Sequence, residues 1–416
     1  MNIRKIFFAT VSLFSIQLFF PYGAYATDKI IRYEKEAGEA ILENIVRNGG
    51  KILKKYSIID AALVSVPDEA ARSIDVRSVR GLRSVEDDEY RYWLAEDSFN
   101  IPSVKQIKKK SAGTATQASA VSVVQDASIT EGYGGDNGKK AVRYTAQEIP
   151  WGIKRINAPA VWGRINYSNV RVAVLDTGIN YNHPDLKSAK NGYNAIDPSK
   201  PALDDHGHGT HIAGTIAAVA DGKGVAGVVP GIQLYAVKVL DSAGGGKISA
   251  VASGVEWAVK NGMNVLNMSI SSHWDSAVDD MITAAYKSGI TVVAAAGNYG
   301  NQVRFPANMK ETIAVGAIGT DDTVPEFSCR GHDLDFVAPG VDIYSTTKDG
   351  GWANNTGTSM ACPHVTGLAA LAVAAGARGP DEVRTALQNA ASQLSTVPYA
   401  IWQGKGLIDA ARIKKP

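Results

Sequence analysis

Three short stretches of this chain carry the residue types that nucleophilic catalysis needs. Gly357-Thr358-Ser359-Met360-Ala361-Cys362-Pro363-His364 sets a serine among small residues at the start of a long apolar helical pattern. Small neighbours let a substrate reach the hydroxyl, and a helix N-terminus offers unpaired N–H groups and a positive dipole end where an oxyanion would form. A serine there can equally be an ordinary N-cap. What lifts it above that reading is an acid and a base elsewhere: Asp176 in Val174-Leu175-Asp176-Thr177-Gly178 and His208 in His208-Gly209-Thr210-His211. The close spacing of His206, His208 and His211 also admits a zinc site, although the helical His-Glu-x-x-His pattern is missing. Cys362 raises the question of a thiol nucleophile, but it follows the helix start by about a turn and has no base assigned to it.

The elements that must position these groups follow from the hydrophobic pattern. Val170 to Leu175, Ile232 to Leu240, Asn264 to Met268, Ile290 to Ala296 and Thr312 to Ile318 are short runs rich in β-branched residues, and helix-length segments such as Ile212 to Val219, Ile248 to Lys260 and Ala277 to Lys287 lie between most of them. Nearly continuous apolar strands alternating with helices predict an α/β fold, a doubly wound and mostly parallel sheet with chemistry at the carboxyl ends of its strands. Asp176 sits just past one such strand, and Gly297-Asn298 just past another.

Ahead of this region the texture differs. Asp28 to about Glu96 reads as a small α+β module, with helices at Ala37 to Asn48 and Asp68 to Val76, a strand at Ala61 to Val66, and an approach to another strand at Gly81 to Val85. Residues 97–145 turn basic, then Ser/Ala/Thr-rich, then Gly-rich, as a flexible linker does. Residues 1–26 read as a secretory signal: Arg4 and Lys5, an apolar run from Ile6 to Phe20, and Ala24-Tyr25-Ala26 as a small-residue cleavage pattern. Export is therefore expected, with no membrane anchor. The 416 residues are 45% hydrophobic, enough for a large core, and the formal charge of +2 gives no basic excess of the kind that marks nucleic-acid binding. Two cysteines, Cys329 and Cys362, leave either one bridge or two buried thiols.

Taken together, Asp176-Thr177-Gly178, His208-Gly209-Thr210-His211 and Gly357-Thr358-Ser359-Met360-Ala361 with Pro363-His364 resemble the three signature blocks of the subtilisin-like serine proteases, in the Asp, His, Ser chain order of that family. The likeness runs from about Ala146 to Ala411, so residues 146–416 are expected to form the peptidase domain. It implies Ser359 as nucleophile, His208 as general base and acid, and Asp176 as the group that orients the imidazole. Ala295-Ala296-Gly297-Asn298 resembles the oxyanion block, with Asn298 and the Ser359 N–H as donors; loss of one such donor typically costs about 100- to 1,000-fold in turnover. A protease fold kept only for holding peptides is the alternative, and the presence of every triad and oxyanion residue speaks against it.

The same resemblance implies that protein or peptide substrates are bound by strand addition, between Gly244-Gly245-Gly246 and Ser269-Ile270-Ser271. At Ser271-Ser272 the family commonly carries a glycine pair, so the primary specificity pocket departs from the pattern there. It implies a structural Ca2+ held by Gln147, Asp185 and the loop residues Val219, Asp221, Lys223 and Val225, all able to offer oxygen. It further implies that residues 27–96 are a propeptide acting as an intramolecular inhibitor, with Tyr144–Thr145 and Thr145–Ala146 among the candidate maturation bonds.

Overall fold

The computed structural model describes residues 26–67, 79–94 and 146–414. The expected signal segment, the helix at Asp68 to Val76, the linker and the Tyr144–Thr145 bond lie outside them, in whole or nearly so. The chain divides into two compact units, one ending at Asp88 and one beginning at Glu89, eight residues before the module boundary expected from sequence.

In the first unit, strands β1 (Ala26–Tyr33), β2 (Lys51–Lys55), β3 (Ala61–Pro67) and β4 (Leu82–Asp87) form an antiparallel sheet in the order β2-β3-β1-β4, with helix α1 (Gly38–Arg47) after β1. Ile31, Tyr33, Ile41, Leu42, Ala62, Val64, Val66 and Leu82 make its core. Strand β3 alternates buried and half-buried residues over its second half, the period of a sheet covered on one face.

The second unit carries the predicted doubly wound sheet. Its strands are β6 (Arg171–Asp176), β7 (Ala189–Asn194), β8 (Gln233–Lys238), β10 (Val265–Met268), β11 (Thr291–Ala295), β12 (Thr312–Ile318), β13 (Phe336–Pro339), β16 (Ala391–Ser392) and β17 (Leu407–Ile408), in the order β16-β17-β13-β12-β11-β10-β6-β8-β7. Every pairing is parallel except β16 with β17. Strands β10, β11 and β12 are buried along their whole length, as strands covered on both faces must be. Two small antiparallel pairs stand apart from this sheet: β14 (Ile343–Thr346) with β15 (Trp352–Asn355), and β5 (Tyr90–Tyr92) with β9 (Gly245–Lys247).

Around the sheet lie α2 (Trp151–Arg155), α3 (His208–Ala217), α4 (Ile248–Lys260), α5 (Ser276–Lys287), α6 (Thr358–Ala374) and α7 (Gly379–Ala390). Helix α6 is buried without interruption from Thr358 to Ala372, and its composition is apolar all round instead of striped. Pro363 inside it has no N–H to give the carbonyl of Ser359 four residues earlier. That carbonyl is taken up instead by the Ser269 hydroxyl at 2.9 Å, which ties the start of the helix to the end of β10. Among the described residues no single helix is long and apolar enough to cross a membrane.

Candidate active site

Strand β6 ends on Asp176, at the carboxyl edge of the sheet, and α3 begins on His208. The imidazole Nδ1 lies 2.8 and 2.9 Å from the two carboxylate oxygens of Asp176, and both side chains are fully buried. The Thr177 N–H also donates to Asp176 Oδ1 at 2.8 Å, so the carboxylate is held from the backbone as well as from the ring. Between them α3 packs closely: a Cβ on Gly209 would stand 2.1 Å from the Gly178 carbonyl and 3.1 Å from the Asp176 Cβ, so only glycine lets the helix start this near the strand end.

Ser359 occupies the first turn of α6 and is 5% exposed. Its hydroxyl donates to the Ser269 carbonyl at 3.0 Å, and no hydrogen bond joins it to Nε2 of His208. Such bonds commonly tighten only when a substrate is in place. Asn298 follows β11, and its Oδ1 accepts from both the N–H and the hydroxyl of Thr358, each at 2.8 Å. With the oxygen engaged, Nδ2 is the end of the amide left to donate, and it lies beside Gly357, where a Cβ would come within 3.2 Å of it.

Two residues that hold this constellation had not been singled out from sequence. Asp204 accepts through Oδ1 from the Thr177 hydroxyl and the N–H groups of His206 and Gly207, and through Oδ2 from the N–H and hydroxyl of Thr210. It is an Asx turn that shapes the approach to His208, and the order Asp204-Asp205-His206-Gly207 was its available signal. Lys238, at the end of β8 and 5% exposed, gives its three donors to the carbonyls of Thr177 and Leu240 and to Asp205 Oδ1. An isolated lysine after an apolar run offers no such signal.

The other histidines do not gather into a metal site. His211 Nε2 turns to the Ala353 carbonyl, and among the described residues no group of three or more His, Cys, Asp or Glu could hold a metal ion. Burial lowers His211 to about 3 and His364, bonded through Nδ1 to the Met360 carbonyl, to about 4. Both cysteines are free and buried, and burial pushes the Cys362 thiol up to about 12, which removes it as a nucleophile near neutrality. The two buried histidines predict acid sensitivity. Above the ordinary histidine value of 6.5 both states are neutral and pH has no effect through them. Below it the unfolded chain binds protons that the folded one refuses, so stability falls as pH falls toward 4, by up to about 1.4 kcal/mol per pH unit for each histidine. Urea midpoints between pH 7 and 5 should show that slope, and His364→Gln should remove one proton's share; an unchanged slope would contradict it.

Of the residues expected to bind substrate, Gly245 and Gly246 lie in β9 and Gly244 just before it with φ +74°. Strand β9 is not bare: Tyr90–Tyr92 pair with it antiparallel, and the N–H groups of Trp93 and Leu94 reach the Gly244 carbonyl at 3.3 Å. On the opposite wall the Ser271 N–H donates to the Trp93 carbonyl at 2.9 Å. A segment of the chain itself is thus clamped between two backbones, Gly244–Gly246 and the run Ser269-Ile270-Ser271. Ile270 is buried, and Ser269 faces Ser359.

The expected calcium ligands come together in part. The carbonyls of Val219 and Lys223 converge on the Gln147 amide, 2.8 and 3.3 Å from its Nε2, while its Oε1 accepts from Gly222 N–H at 3.3 Å. Asp185 Oδ2 accepts from the Val225 N–H and the Trp352 indole, and Gly224, at φ +59°, leaves room for that carboxylate. Asp221 departs from expectation: its carboxylate is paired with Lys187. The donor set is all oxygen, carbonyl and carboxylate, which is the chemistry a hard cation requires.

The profile described as the subtilase family matches residues 167–406. A subtilisin of Bacillus pumilus is 43% identical over 272 residues, covering 64% of this chain and 98% of that protein. Subtilisin E of Bacillus subtilis (strain 168) is 43% identical over 272 residues, 64% of this chain and 71% of its own. Subtilisin Savinase of Lederbergia lenta is 44% identical over 270 residues, 64% of this chain and 98% of its own.

Proposed function

The chain belongs to the subtilase family of serine endopeptidases, and from that premise we propose that Asp176, His208 and Ser359 are its catalytic triad, in an exported precursor that processes itself. The observation that carries the assignment is the buried contact of His208 Nδ1 with both oxygens of Asp176, 2.8 and 2.9 Å away. It fixes the tautomer with the proton on Nδ1, leaving Nε2 the basic nitrogen. His208 takes the Ser359 proton as the oxygen attacks the scissile carbonyl; Asn298 Nδ2 and the Ser359 N–H receive the oxyanion; the protonated imidazole then gives its proton to the leaving amine. Water hydrolyses the acyl-enzyme by the same path in reverse. A fluorophosphonate probe tests this: covalent labelling at Ser359, located by peptide mass, is the expected result, and a folded protein that does not label would overturn it.

The first unit, with the segment Glu89–Leu94 laid along β9, supports a role for residues 27–96 as an intramolecular inhibitor that is removed on maturation. Residues 97–145 would carry the maturation bonds, and residues 1–26 would direct export.

Calcium is the cation that the oxygens of Gln147, Asp185, Val219 and Lys223 suit. A half-turn of the Gln147 amide presents its oxygen to the point on which the two carbonyls converge. Asp221 would join by leaving Lys187, and Val225 by offering its carbonyl. A bound ion stabilises only the folded state, so millimolar calcium should raise the melting temperature by several degrees over a chelated sample. Identical melting in the two samples would remove calcium from the account.

A further inference from the structure

In the mechanism proposed above, a scissile carbonyl must place its carbon at the Ser359 hydroxyl, which rests on the Ser269 carbonyl, and its oxygen at Asn298 Nδ2 and the Ser359 N–H. The side chain of the residue under attack then enters the gap between the run Ser269-Ile270-Ser271-Ser272 and the turn Ala296-Gly297-Asn298. One short stretch joins these two walls. The Arg304 N–H donates to the Ala296 carbonyl at 2.9 Å, and the Phe305 carbonyl accepts from the Ser272 N–H at 2.8 Å. Phe305 is buried, so the crosspiece closes the gap and Arg304 is the residue it offers to an occupant.

Arg304 is half-buried, and the root of its side chain packs on the turn that precedes Asn298. A Cβ on Gly297 would stand 2.9 Å from Arg304 Cγ, so a larger residue at that turn would push the arginine aside. The guanidinium carbon lies 4.6 Å over the ring of Tyr299, the residue that follows Asn298. Tyr299 is 51% exposed, which puts the stacked pair beside the site at the surface and not in the core. Stacking fixes the plane of the guanidinium and leaves the N–H groups on its edge for an incoming acceptor. Among the described residues Arg304 makes no ion pair, so its charge is not already spent on a carboxylate of the chain.

We propose that Arg304 is a specificity-determining residue, favouring polypeptides with an acidic side chain on the residue whose carbonyl Ser359 attacks. A carboxylate in the gap takes two parallel N–H bonds from the guanidinium, an amide of the same shape takes weaker ones, and a basic side chain meets a like charge. This inference rests on the endopeptidase reading and specifies its substrate class; Arg304 acts on substrate binding and carries no proton in the reaction.

The test uses the mature enzyme and tetrapeptide p-nitroanilides identical but for a last residue of Glu, Gln or Lys, so that the released chromophore reports cleavage after that residue alone, beside casein as a general substrate. The expected kcat/KM is about fivefold higher for Glu than for Gln, and more than tenfold higher than for Lys, with both ratios shrinking as salt is raised. Arg304→Gln should bring Glu and Gln to within about twofold of one another, and Arg304→Lys, which keeps the charge without the planar fork, should retain part of the preference. Equal rates for Glu and Gln in the unaltered enzyme, with casein still cleaved, would overturn the specificity alone, as would a preference for Glu that survives Arg304→Gln. If Arg304→Gln does not fold, the salt dependence in the unaltered enzyme decides, and a preference indifferent to salt counts against the proposal. Failure to cleave casein or any of the anilides would instead overturn the endopeptidase reading, and the specificity with it.

Discussion

Ser359→Ala is expected to give a folded, full-length precursor that neither cleaves peptides nor processes itself, with turnover lower by about 10⁶-fold. That magnitude is the loss known for the triad serine of subtilisin itself, the worked case behind the general rule, and it is carried over from there. The local structure explains why the fold should survive. The Ser359 hydroxyl makes one hydrogen bond, to the Ser269 carbonyl, while the contact that anchors the helix runs through the Ser359 carbonyl and the Ser269 hydroxyl and does not involve the deleted atom. Alanine also suits a helix turn better than serine does. Turnover of a peptide amide and the persistence of the precursor on a gel are the readouts. Normal processing in this variant would show that some other group attacks, and the buried Cys362 and the histidines tied to carbonyls are poor substitutes.

Asp176→Asn should come next, with a loss of about 10⁴-fold, the size known for the equivalent change in a trypsin-type triad. The effect is one of proton placement. Both carboxylate oxygens lie within 3 Å of His208 Nδ1, and a carboxylate only accepts. An amide of the same shape can turn its NH2 to Nδ1, which moves the ring proton to Nε2 and leaves no lone pair to receive the serine proton. Oδ1 of asparagine can still accept from the Thr177 N–H, so the strand end should stay in place. Steady-state kinetics beside a urea unfolding curve separate the two effects. A fall in activity matched by collapse of the unfolding midpoint would mean that the carboxylate served the fold more than the proton.

How far these features could be read in advance depended on what else each segment had to do. Strands β10, β11 and β12 are buried on both faces, so their sequences are unbroken apolar runs and their limits fell within a residue or two of those expected. Strand β7, Ala189–Asn194, is an edge strand with four partly or fully exposed residues and had no apolar pattern to find. Strands β1 and β2 were hidden by charge: Asp28, Lys29 and Arg32 lie in a strand whose central place comes from pairing with β3 and β4 on either side. Helix α3 begins four residues before its apolar period does, since its first turn carries polar side chains held by Asp176 at His208, by Asp204 at Thr210 and by the Ala353 carbonyl at His211. The stretches proposed as catalytic stood out in the sequence by residue type and order; the Asp204 turn, the triple use of Lys238, the redirected Ser359 hydroxyl and the Lys187 pairing of Asp221 did not. Each of those depends on which neighbours the fold delivers.

The strand resting on β9 belongs to the same polymer as the wall it rests on, and this changes how its occupancy responds to dilution. A tethered ligand is present at an effective concentration of roughly millimolar whatever the volume of solvent, so a free peptide competing for the groove gains nothing when the sample is diluted. Once the backbone is cut and the piece can drift away, the same ligand falls to the bulk level; at nanomolar protein that is a drop of about a millionfold. One broken bond thereby does more to empty the groove than any weakening of the contacts at Trp93 or Arg91.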